Sequence, residues 1–127
     1  MTAKAKLKRV AIYVEEMKRA LDFYRVLGLS IPDSADESPH VDVEQEGVVF
    51  AFDLVEAVKR IMKDWDSPVG CRTELAFQLS SRETLDDVYR QLTALGHEGC
   101  LEPRDTPWGE RYAMVKDPDG NIVSMVA

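Results

Sequence analysis

The chain repeats one structural phrase twice, and that duplication limits its folds more than any other feature. Leu7 to Val14 alternates with period two and is rich in strand formers. A helical stripe follows, with Met17, Leu21, Tyr24 and Leu27 on one face, acidic Glu15 and Glu16 at its start and Gly28 at its end. The second half repeats the phrase. Thr73 to Leu79 alternates, Ser80 and Glu83 have capping-box spacing, and Leu85, Val88, Tyr89, Leu92 and Leu95 form a stripe ending at Gly96. Leu21-Asp22 matches Leu85-Asp86, Tyr24 matches Tyr89, and Leu27-Gly28 matches Leu95-Gly96.

Each unit reads as a strand, a helix and three further strands. In the first unit the later strands are expected near Ser30-Ile31, His40 to Glu44 and Gly47 to Phe52. In the second they fall near Glu98 to Leu101, Arg111 to Val115 and Ile122 to Val126. Pro32 to Pro39 reads as a loop. The last two strands flank Asp117-Pro118-Asp119-Gly120-Asn121, a tight turn in which Pro118 sets φ and Gly120 supplies a positive one. Leu54, Val58, Ile61, Met62 and Trp65 recur at helical spacing. This predicts an amphipathic linker helix over about 54–66, packed on the domain or on a second subunit.

Alternation also sorts the faces of the first strand. Val10, Ile12 and Val14 turn toward the helix, leaving Arg9, Ala11 and Tyr13 on the other side. At 127 residues the chain suits one domain with one core. A net charge of −7 argues against nucleic acid and accords with a cationic small molecule. There is no membrane-length apolar run, and no signal-type apolar core follows the basic start, so a cytoplasmic location is expected. Cys71 and Cys100 lack metal-ligand spacing. No phosphate-binding glycine loop or nucleophile elbow is present.

The terminal hairpin, the Pro107-Trp108-Gly109 segment and the duplicated units resemble the vicinal oxygen chelate superfamily of glyoxalases, bleomycin-resistance proteins and extradiol dioxygenases. The resemblance covers nearly the whole chain. It implies an α+β fold of two paired βαβββ modules, about 6–53 and 71–127, within one domain spanning 1–127. Their mixed sheets would curve into a cup with helices outside, and pairing of units, as in a homodimer, would close it.

The family's metal enzymes place one ligand on the first and one on the last strand of each unit. Carried onto this chain, those positions are Arg9, Ala51, Glu74 and Ser124. Arginine and alanine offer a metal no lone pair, serine is a poor ligand, and one carboxylate is not a divalent site. His40 and His97, the only two histidines, fall outside these positions and read as surface residues. The expectation is therefore no metal and no cofactor.

Arg9 and Glu74 would meet on the cup floor, as a structural plug or as ligand contacts. Tyr13 would line the cup or fill it. Trp108 would border a ligand groove, as in the family's antibiotic-binding members, or pack on its own hairpin. The resulting expectation is a metal-free binder of a small aromatic or cationic molecule, with no assigned catalytic residue. Its rivals are a metal-dependent lyase, isomerase or dioxygenase, acid–base catalysis by Glu74, and a regulatory module docking through the linker helix.

Overall fold

A computed structural model describes residues 4, 6–62, 64–71 and 73–127. The first half contains β1 (Arg9–Val14), α1 (Met17–Leu27), β2 (His40–Gln45) and β3 (Val48–Leu54). A short helix, α2 (Val55–Ile61), leads out of β3. The second half contains β4 (Glu74–Gln78), α3 (Arg82–Ala94), β5 (Gly99–Asp105), β6 (Arg111–Lys116) and β7 (Ile122–Val126).

The strands form two mixed sheets, ordered β1-β3-β2 and β4-β7-β6-β5. In each, the first strand of the half runs parallel to the last: Ala11 lies opposite Ala51, and Ala76 opposite Ser124. Among the described residues the sheets share no backbone ladder. The architecture is α+β; a strand, a helix and further strands recur in both halves, with three later strands in the second half and two in the first.

Each helix covers one face of its sheet, and the core lies between them. Tyr24 of α1 packs on Phe50 and Phe52 of β3 with ring centroids 5.2 and 5.1 Å away. The α3 stripe of Leu85, Val88 and Leu92 is buried with Ala113, Val115, Val123 and Met125. Gly28 closes α1 at φ 116°, as its left-handed cap requires.

Gly99 serves a different need. A methyl group added there would run into the Tyr89 ring and Thr93 of α3. Gly99→Ala should cost about 1–3 kcal/mol, read as a lower urea midpoint.

Several local expectations are corrected. Ser30-Ile31 forms no strand, and the following loop contains a 3-10 helix, Asp33–Glu37. The first sheet therefore has three strands where the second has four. Arg25 explains the loss: its guanidinium donates to the carbonyls of Ile31 and Pro32 (3.1 and 2.8 Å) and pairs with Asp36. Those carbonyls are satisfied by a helix side chain instead of a neighbouring strand.

Helix α3 is capped by Ser81, whose hydroxyl accepts the Thr84 N–H at 3.0 Å, not by Ser80 with Glu83. Glu16 stands at the cap position of α1 without a side-chain bond. The linker helix is shorter than expected. Leu54 belongs to β3, Trp65 lies beyond α2, and only Val55 of α2 is buried.

Candidate functional site

The face of each sheet turned away from its helix carries the candidate residues. In β1, Ile12 and Val14 are buried, whereas Arg9, Ala11 and Tyr13 are exposed, as alternation predicts. Register places these residues in three rows across the first sheet: Arg9, Val49 and Glu44; Ala11, Ala51 and Asp42; Tyr13, Asp53 and His40. On the second sheet, Ala76, Ser124 and Met114 form one row, with Glu74 and Tyr112 on the same face.

The four family metal positions hold equivalent places in the two halves. Arg9 is opposite Val49, two residues before Ala51; Glu74 is opposite Ile122, two residues before Ser124. The structure does not bring Arg9 and Glu74 together. Arg9 Nε lies 3.5 Å from Asp42 Oδ1, while Glu74 Oε2 accepts the Tyr112 hydroxyl at 2.8 Å. Each finds its partner across the central strand of its own sheet, so the expected floor pair is corrected. Burial first, and Glu74 beside it, hold the Tyr112 phenol above its ordinary pKa. Ala51 and Ser124 are fully buried.

The divalent metal implied by the family does not fit these residues. One carboxylate, one guanidinium, one methyl and one hydroxyl are not a ligand set. Among the described residues, no group of three His, Cys, Asp or Glu side chains is placed to hold an ion elsewhere.

His40 is the functional-face residue missed in the sequence. It opens β2, where the expected strand from His40 to Glu44 begins, and is held between two carboxylates. Nδ1 meets Asp53 at 2.5 Å and Nε2 meets Asp42 at 2.7 Å. With Arg9, this forms a charged chain across the first sheet. The alternation of His40, Asp42 and Glu44 with Val41 and Val43 was the available signal.

The Asp53 hydrogen bond chiefly raises the His40 pKa. His97, set edge-on to Phe23 at 4.9 Å, has its pKa lowered by burial. A proton titration followed by NMR should therefore give His40 the higher midpoint and His97 the lower; coincident midpoints would contradict both environments. The stability consequences are opposite. The His40 contribution is complete below its unfolded-state pKa and is lost as pH rises through its folded one. Folding favours neutral His97, so its contribution falls as pH drops.

Tyr13 is 41% exposed and meets Trp65 edge-on, with centroids 5.3 Å apart. Trp108 is 67% exposed in the β5–β6 connection, and its indole N–H donates to Glu110 at 2.8 Å. Two clefts of about 580 and 600 Å³ lie between residues of the two halves, the first lined chiefly by β2, β3 and β4 and the second by β1, residues between Pro68 and Leu75, and the β6–β7 turn. The larger is lined by Ala11, Tyr13, Thr73, Lys116 and Asp119, among others. Cys71 and Cys100 are free thiols. No helix among the described residues is long and apolar enough to cross a membrane.

Two βαβ-type halves with parallel outer pairs and helices on one face define the glyoxalase class of α+β folds. The pattern of the Glyoxalase/Bleomycin resistance protein/Dioxygenase superfamily matches residues 6–125, and the chain belongs to that superfamily.

Solved structures of the same fold include a glyoxalase/bleomycin resistance protein/dioxygenase family enzyme from Burkholderia phytofirmans PsJN. It is 20% identical, with a TM-score of 0.81 over 96% of this chain and 98% of that one. A glyoxalase-related enzyme from Fulvimarina pelagi is 18% identical, with a TM-score of 0.77 over 95% and 86%. A superfamily member from Sphaerobacter thermophilus DSM 20745 is 27% identical, with a TM-score of 0.65 over 97% of each chain. No curated protein matches the sequence.

Proposed function

We propose that this chain is a metal-free member of the superfamily that holds a small aromatic or cationic molecule on the sheet faces turned away from the helices. The observation that carries this reading is the donor-poor set at Arg9, Ala51, Glu74 and Ser124, at equivalent strand positions in both halves. Sequestration requires a shaped, selective surface but no metal chemistry. The open Tyr13 ring beside Trp65 supplies an aromatic edge, and the acidic chain favours cations. Trp108, exposed on its hairpin, is available to complete a groove.

A homodimer accompanies this reading. Ala11, Glu74 and Ala76 are open in one chain, and a second copy set against these faces would close the cup. The proposed setting is the cytoplasm, in keeping with two free exposed thiols.

Tryptophan fluorescence tests the binding function against a panel of small aromatic cations, anions and neutral compounds. Saturable quenching that is lost in Trp65→Phe or Trp108→Phe supports it and locates the ligand. No saturable change with any compound overturns it. Light scattering tests the dimer separately.

A further inference from the structure

On the open face of the first sheet, both ring nitrogens of His40 meet carboxylates. Nδ1 lies 2.5 Å from Asp53 Oδ1, and Nε2 lies 2.7 Å from Asp42 Oδ1. An ionised carboxylate only accepts hydrogen bonds, and a neutral imidazole carries a single N–H. The two contacts therefore fit an imidazolium and not a neutral ring. When the proton leaves, one ring nitrogen turns a lone pair on a carboxylate oxygen, and that contact has to open.

Which contact opens follows from what else each carboxylate can reach. Asp42 Oδ1 is shared, because Arg9 Nε of β1 lies 3.5 Å from the same atom. Arg9 is opposite Val49 and Asp42 opposite Ala51, so this pair crosses β3 on a diagonal. Asp53 pairs with no other cation among the described residues. It is also the better covered of the two, its side chain 25% exposed against 43% for Asp42. The charged and titratable groups on this face are Asp42 and Glu44 along β2, Asp53 from β3, and Tyr13 and Arg9 from β1. The Asp53 hydrogen bond raises the His40 pKa most, burial opposes it and Asp42 adds to it, so the proton leaves above the ordinary histidine value.

We propose that His40 is a proton-operated switch on this face: as an imidazolium it ties Asp42 to Asp53, and on losing its proton it keeps Asp53 and releases Asp42 to Arg9. Nδ1 is the nitrogen that keeps its hydrogen. The ring is 43% exposed, so the proton passes directly to solvent. The face then carries one more negative charge, which favours an organic cation. The switch stands on these contacts alone; its effect on a ligand rests on the small-molecule-binding reading.

The test raises the pH of the full chain across the His40 titration. NMR follows the ring nitrogens, the carboxyl carbons of Asp42 and Asp53, and the Arg9 Nε–H. Above the midpoint the remaining ring proton should sit on Nδ1. The Asp42 carboxyl and the Arg9 Nε–H should shift with the His40 midpoint. Arg9→Met should raise that midpoint and Asp42→Asn should lower it, each by about half a pH unit. Arg9→Met changes an exposed strand position, so it remains informative if the Asp42 variant disturbs β2. A neutral ring protonated on Nε2, an Arg9 signal indifferent to the midpoint, or an unchanged midpoint in Arg9→Met overturns the switch.

Phenyltrimethylammonium, whose charge does not titrate, reads the consequence for binding. It should bind about threefold more tightly above the midpoint than below it, and equally at both pH values in His40→Gln. Equal affinity on both sides of the midpoint in the wild type overturns the effect on ligands. No saturable binding at either pH overturns the binding reading for such cations, while the titration still decides the switch.

Discussion

Replacing Asp117 with alanine is expected to cost about 3–5 kcal/mol of folding stability, because it strands buried polar groups in both halves. Asp117 is 4% exposed at the start of the terminal turn. One carboxylate oxygen accepts the Tyr24 hydroxyl at 2.7 Å and the Asn121 side-chain amide at 2.8 Å. The other accepts the backbone N–H groups of Asp119 and Asn121, both at 2.9 Å. This carboxylate shapes the turn and fastens it to α1, 93 residues earlier.

Tyr24→Phe removes one of those four donors and should cost less, about 1.5–3 kcal/mol. Burial first, and Asp117 beside it, push the Tyr24 phenol far above its ordinary pKa, so it remains a donor throughout the working range. Urea unfolding should rank wild type above Tyr24→Phe and Tyr24→Phe above Asp117→Ala. Two variants as stable as wild type would remove the latch from the account.

Phe23→Ala is expected to have a comparable effect, about 3–5 kcal/mol, through a cavity rather than an unmatched charge. Phe23 is 1% exposed and packs edge-on to Tyr24 at 4.9 Å and to His97 at 4.9 Å. It thus joins α1 to the segment following α3. Its loss should also wet His97 and raise that histidine's NMR midpoint toward the ordinary value. A full-sized stability loss with no movement of His97 would mean that other groups, not Phe23, keep that imidazole dry.

These joints place the connection between the halves on the helix side. Side-chain hydrogen bonds and ion pairs between them among the described residues run from Glu15, Arg19 and Tyr24 to Asp117 and Asp119. The opposite faces stay open for a ligand or a second copy.

Period-two alternation was enough to orient β1, since burial of Ile12 and Val14 leaves Arg9, Ala11 and Tyr13 only the other face. The family resemblance, not alternation, made Arg9 and Glu74 equivalent. Alternation gives a face but no distance. It therefore missed that Asp42 and Tyr112, each across one strand, are nearer partners than the other half.

The missing strand near Ser30 was illegible for a related reason. Its replacement depends on Arg25, whose reach to Ile31 and Pro32 is a tertiary contact with no local periodicity. The linker stripe from Leu54 to Trp65 read as one helix because strand end, helix and following coil happen to share its spacing. His40 is a surface residue, as read, but its two carboxylate partners became visible only with the strand register.

The central claim is that the family's metal positions have lost their ligand function, leaving a surface for binding alone. Elemental analysis of untagged protein, purified without chelators and then offered Zn, Ni, Co, Mn and Fe(II), tests it most directly. The account predicts negligible retained metal and no stabilisation by any of these ions. Near-stoichiometric retention of one of them, lost on replacing Glu74, would contradict the account and put metal-dependent catalysis first.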